Sequence, residues 1–155
     1  MSKTLYDQDF QKWIETTIYQ LQKGEFSSLD IDNLIEELTE LGKSEKRSLE
    51  SNLMILLADL LKLKVQHDAP SFMKDSWYRS IIEHRQRVQK NLRYTPSLKS
   101  YLETAIKKAH PDGRKIAIKE GQLDKFEVRI PQESKYPKIC LFSQEQILDE
   151  DFYGI

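Results

Sequence analysis

Between Leu49 and Leu61, leucine recurs at positions 49, 53, 56, 57, 60 and 61. Steps of three and four spread these side chains over a wide arc of one α-helix. A helix apolar over so much of its surface has to be covered on several sides. The pattern therefore predicts a helix from about Ser44 to Gln66 at the centre of a helical assembly, with the rest of the chain as its covering.

The rest of the chain keeps the same period. Phe10, Trp13, Ile14, Thr17, Ile18 and Leu21 share one face, with Asp7 or Asp9 to start the helix and Gly24 to end it. Asp30 suits the N-cap of a helix carrying Ile31, Leu34, Ile35, Leu38 and Leu41, and Gly42 sits where a helix stops. Pro70 separates the central helix from another over about residues 73–93. Pro96 opens a further helix faced by Leu98, Tyr101, Leu102, Ala105, Ile106 and Ala109. The run His110-Pro111-Asp112-Gly113 is expected to end or kink it, with helix again over 112–123. Phe126–Pro131 alternates like a short extended piece, and 131–141 reads as loop. Ser143 and Gln146 form a capping box for a last short helix to about Leu148. Five glycines and five prolines in 155 residues favour long regular elements over many turns. The expected fold is all-α: an irregular bundle of about five main helices plus one or two short C-terminal helices, in a single domain spanning 1–155.

Composition narrows the setting. The one cysteine, Cys140, excludes an internal disulfide framework and fits a reducing cytoplasm. The opening MSKTLYDQDF lacks an apolar core, so no signal peptide is expected. The run Leu53–Leu63 is interrupted by Asp59 and Lys62 and is too short to span a bilayer, so no membrane partner is expected. The overall charge of −1 hides a basic middle: residues 66–119 carry 12 Lys/Arg and 5 Asp/Glu. The ends are acidic, with 8 against 12 over residues 1–65 and 4 against 8 over residues 120–155. Such a middle either pairs with the ends or forms a basic face for an anionic partner.

One side chain contradicts its surroundings. Trp77, Ile81, Val88 and Leu92 form a stripe, and Arg85 falls inside it, at about 80° from Trp77 where Leu92 lies at about 60° and Tyr78 at about 100°. A buried guanidinium keeps its proton and needs acceptors. Glu50 lies within the apolar arc of the central helix, and Glu37 borders the stripe beside Leu41. The expectation is a structural ion pair of Arg85 with Glu50 or Glu37.

Reaction motifs are scarce. His67-Asp68 has the form of a metal-ligand step in all-α phosphohydrolases, but that site needs an earlier histidine and none precedes His67. His84 reads as a boundary residue, and His110 as an imidazole at a helix end. Cys140 lacks activating neighbours in sequence. There is no phosphate-binding glycine loop, no H-E-x-x-H and no C-x-x-C, so neither cofactor nor metal is expected. The basic candidates are Arg87, Lys90, Arg93, Lys99, Lys107, Lys108, Arg114, Lys115 and Lys119. On one face these could follow phosphates, although nothing matches a module for reading bases.

Several segments in order carry a family likeness: "LYDQDFQKW" from Leu5, "LDIDNLIEELTELG" from Leu29, "LESNL" from Leu49, "LLK" from Leu60, "WYRSIIEHR" from Trp77, Pro96-Ser97-Leu98, and "ILDEDF" from Ile147. Together they resemble the bacterial domain-of-unknown-function family 29 over nearly the whole chain. The resemblance implies an all-helical fold and supplies no reaction. It marks Glu36, Glu37, Trp77 and Arg85 as signature positions. It also implies a histidine before the Leu-Leu-Lys step, where this chain has Asp59.

Three functions follow in order. The first is a cytoplasmic helical interaction or regulatory domain, with a protein partner or self-association. The second is nucleic-acid binding through the 87–119 basic face. The third is a metal-dependent hydrolase or nuclease drawing on Glu36, Glu37, Glu50, Asp59 and His84.

Overall fold

A side-chain cap and a backbone cap delimit the first long helix. The Asp9 carboxylate accepts the Lys12 amide at 3.1 Å, and Gly24 closes the far end in the left-handed region at φ 71°. In the computed structural model, which describes residues 3–123 and 129–155, the elements are α1 (Leu5–Gln8), α2 (Phe10–Lys23), α3 (Ile31–Val65), α4 (Ser71–Tyr94), α5 (Leu102–Gln122) and α6 (Gln144–Leu148). Short 3-10 turns cover Phe26–Ser28, Pro96–Tyr101 and Glu133–Lys135. No strand occurs among the described residues, so the chain is all-α. The extended piece expected at Phe126–Pro131 has its first three residues outside the described ones.

Two boundaries differ from expectation. The helices expected on either side of Gly42 are one 35-residue helix, α3. A glycine in a helix interior costs about 1 kcal/mol relative to alanine, and the good helix formers around it offset that. Pro111 lies inside α5 without ending it, so His110 is a buried mid-helix residue rather than a terminal one. Its Nε2 lies 3.0 Å from the Pro137 carbonyl oxygen.

The chain forms two compact units, Met1–Lys43 and Ser44–Ile155. In the first, Trp13 is buried and its Nε1 donates to Asp30 Oδ2 at 3.3 Å, while Tyr6 donates to Glu37 at 2.5 Å. Trp13 stacks with Phe10 and meets the Tyr6 ring edge-on.

In the second unit, Leu49, Leu53, Leu56, Leu57, Leu60, Leu61 and Leu63 are fully buried at its centre. Ile81, Val88 and Leu92 of α4 pack there, as do Leu102, Ala105, Ile106 and Ala109 of α5. Gly113 explains how closely α5 approaches: a Cβ there would sit 2.8 Å from the Met54 carbonyl oxygen. The capping box of Ser143 and Gln146 starts α6, and Ile147 is fully buried. The strap that follows ends against α3. Gly154, at φ 88°, would place a Cβ 2.8 Å from the Leu60 carbonyl oxygen.

Candidate functional site

Arg85 is 2% exposed. Its Nε donates to the Ile147 carbonyl at 2.8 Å and its Nη2 to the Phe152 carbonyl at 2.6 Å. The Tyr153 ring centroid lies 5.7 Å from the guanidinium carbon. The carbonyls near the end of α6 lack helical partners and carry partial negative charge, so they suit a buried cation. Burial pulls the guanidinium pKa below its ordinary value, opposed by Tyr153, Asp149 and Glu150.

The expected carboxylate pair is therefore corrected. Glu50 accepts a hydrogen bond from Tyr101 and lies 3.9 Å from Lys108 Nζ. Glu37 accepts from Tyr6 within its own unit. A helical wheel gives the face a side chain occupies but not its height on the axis, nor the later segment that covers it.

The residues named for a metal reading are held separately. Glu36 is exposed on α3. In the second unit Glu50 is engaged by Tyr101, Asp59 by Lys62, and His84 Nδ1 by its own helix at the Ser80 carbonyl, 2.8 Å away. Among the described residues no three His, Cys, Asp or Glu side chains converge on a metal geometry. Asp68 is bound in two contacts by Arg129, which holds its carboxyl down at about 2. Burial pushes the Cys140 thiol up, away from reactivity.

The nine basic candidates are not uniformly free. Arg87 pairs with Glu83 at 2.5 Å and Lys107 with Glu103 at 3.3 Å. Lys108 donates to Tyr101 at 3.1 Å. Arg114 is spent on the carbonyls of Tyr136 and Glu133. Lys99, Lys115 and Lys119 are exposed. Lys90 and Arg93 flank the Tyr94 ring at 5.7 and 5.9 Å from its centroid. Arg87, Lys90 and Tyr94 edge a polar cleft of about 430 Å³ that also takes in Asn52 and Asn91, whose amides bond at 2.9 Å.

Residue-type reasoning missed a buried polar cluster on the central helix. Lys62 is buried and pairs with Asp59 Oδ1 at 3.2 Å, with Glu120 of α5 as a second carboxylate partner. Its Nζ lies 5.9 Å from the Trp77 ring centroid. These residues line a hollow of about 240 Å³ together with Ser76 and Ser80. Burial pushes the Asp59 carboxyl up, with Lys62 opposing, and Oδ2 has no hydrogen-bond partner among the described residues. The available signal was a lysine set among Leu60, Leu61 and Leu63, three places after an aspartate.

The N-terminal unit shows the opposite imbalance. Ile31, Ile35, Leu38 and Leu41 of α3 are 49–62% exposed, although their spacing is that of a core stripe. Phe10, Ile18 and Leu21 of α2 are each nearly half exposed. Trp13 and Thr17 are the buried residues among those described in this unit. Its sequence carries nine Asp/Glu and four Lys.

No curated protein and no solved structure matches the chain, and among the described residues no helix is long and apolar enough to cross a membrane. The family model that does match, over residues 5–153, is described as Domain of unknown function DUF29, and the chain belongs to that family.

Proposed function

We propose that this is a cytoplasmic interaction module of a bacterial cell, acting by binding a protein through the N-terminal unit. The observation that carries this is the exposed stripe Ile31–Ile35–Leu38–Leu41. Such a row at helical spacing provides anchor positions for a partner helix. The C-terminal unit has its own leucine core and Arg85-held strap. The test is fluorescence anisotropy of labelled amphipathic helical peptides titrated with the full chain and with Ile35→Asp/Leu38→Asp. Binding lost in that variant, with its circular dichroism retained, supports the reading. Failure of every amphipathic helix to bind removes it.

A second reading is single-stranded nucleic-acid binding. What favours it is Tyr94, 73% exposed between Lys90 and Arg93 beside the polar cleft. An exposed ring flanked by cations can stack a base while the cations hold phosphates. Labelled oligonucleotides at two salt concentrations test it. Steeply salt-dependent binding that Tyr94→Ala weakens supports it, and no binding at low salt removes it.

A further inference from the structure

We propose that the face of α3 formed by Ile31, Ile35 and Leu38 docks a basic amphipathic helix of another protein. This rests on the reading that the N-terminal unit binds a protein, and it specifies the partner's chemistry.

Three observations converge. First, Ile31, Ile35 and Leu38 stand at i, i+4 and i+7, a stripe one helix wide, and all three are exposed. Second, the unit is short of core. Its buried residues among those described are Trp13 and Thr17, so a further helix laid on the stripe would complete a small bundle by burying side chains now in water. Third, charge selects the occupant. At about 100° per residue, Asp32 and Glu36 lie about 100° and about 140° round from Ile31, along one border of the stripe. Both are exposed, and among the described residues no ion pair claims either of them. Lys43, near the same border, leans to Glu40 at 3.4 Å.

The same charge argues against other occupants. A second copy laid face to face through the same unit would bring its own nine acids and four lysines to the interface, setting like charge against like. An anionic membrane surface or a nucleic acid would be repelled in the same way. A helix with an apolar stripe and a Lys/Arg-rich polar face satisfies both parts of the surface, and opposite charges would steer its approach.

The experiment uses the full chain and three synthetic helical peptides sharing one leucine stripe, with polar faces of lysine and arginine, of glutamate, or of uncharged residues. The basic peptide is expected to bind more tightly than the acidic one by about tenfold or more, and to weaken as rising salt shortens the screening length from about 30 Å towards about 3 Å. Ile35→Asp is expected to abolish binding. Asp32→Asn/Glu36→Lys leaves the apolar stripe intact and is expected to erase the preference for the basic peptide, so the inference stays testable if Ile35→Asp does not fold. Equal binding of all three peptides overturns the basic partner while the interaction reading stands. A concentration-dependent dimer broken by Glu36→Lys or Ile35→Asp also overturns it, because a second copy then covers the face. Failure of all three peptides removes the interaction reading itself.

Discussion

Arg85 and Ile147 are 62 residues apart in the chain and share a 2.8 Å hydrogen bond from the guanidinium Nε to the carbonyl oxygen. With the contact to Phe152, this one side chain fixes both α6 and the C-terminal strap that follows it. Gln89 adds a third contact from the same helix, donating to the Leu148 carbonyl at 3.0 Å. Arg85 thus ties α4 to the end of the chain rather than to a carboxylate.

Arg85→Met keeps most of the volume and removes the donors. Hydrogen bonds from a charged donor contribute about 1.5–3 kcal/mol each, so a loss of about 3 kcal/mol is expected. Arg85→Lys should recover less than half of that, because an ammonium lacks the planar fork that reaches both carbonyls. Urea unfolding gives the loss, and limited proteolysis should show cleavage near residues 149–151 rising in step. Unchanged stability with unchanged proteolysis would mean that the strap is held without Arg85.

The helices were legible because their period, caps and breakers are local. Asp9, Gly24, Pro70, Ser143 and Gln146 each act within one turn, and each does what its residue type implies. Gly42 was misread as a terminator, and of the two outcomes expected at Pro111, an end or a kink, the end does not occur, because a local penalty was weighed without the long flanking helix that offsets it. The partner of Arg85 was illegible for a different reason. Its carbonyls belong to backbone, which carries no residue-type signal, and they come from a distant segment. The Lys62 cluster was half legible: Asp59 and Lys62 are neighbours on one helix, whereas Glu120 arrives only when α5 packs.

Two glycines in helices should respond in opposite directions to the same change. Gly42 lies in exposed helix with open space around its missing side chain. Gly42→Ala should therefore stabilise by about 0.5–1 kcal/mol. Gly113 faces the Met54 carbonyl, and an added methyl group at 2.8 Å would push α5 from α3. Gly113→Ala should destabilise by about 1–3 kcal/mol, as overpacking does. Thermal melts of both variants decide the matter, and shifts of the same sign would contradict the packing described for α5.

The Asp59 carboxyl gives a pH dependence of defined sign. Its pKa is raised in the folded protein, chiefly by burial, above the ordinary 3.8. Folding therefore takes up a proton between the two values. The stabilisation is fully present below the unfolded value and is lost as pH rises through the folded one. Asp59→Asn stays neutral throughout, while Glu120 still holds Lys62. Urea midpoints measured upwards from about pH 4 should show the wild type losing ground against Asp59→Asn. A difference that stays flat or runs the other way would show that Lys62 keeps Asp59 charged.

Tyr6 offers a spectroscopic check on the N-terminal unit. Its hydroxyl donates to the Glu37 carboxylate at 2.5 Å, and that hydrogen bond is the main reason its pKa is pushed up to about 12. Desolvation and the negative charges of Glu37, Glu36 and Asp7 act in the same direction. The contribution to stability is present below the ordinary value of 10.0 and is lost as pH rises through about 12. Seven tyrosines titrate in this chain, and Tyr136 is also delayed, in its case by burial. Ultraviolet difference titration should therefore show late absorbance that Tyr6→Phe reduces and that Tyr136→Phe reduces independently. Glu37→Gln removes the carboxylate charge and should return Tyr6 towards 10.0 with the helices intact by circular dichroism. A Tyr6 step that Glu37→Gln leaves in place would mean that α1 does not bring its tyrosine to α3, and the N-terminal unit would have to be redrawn.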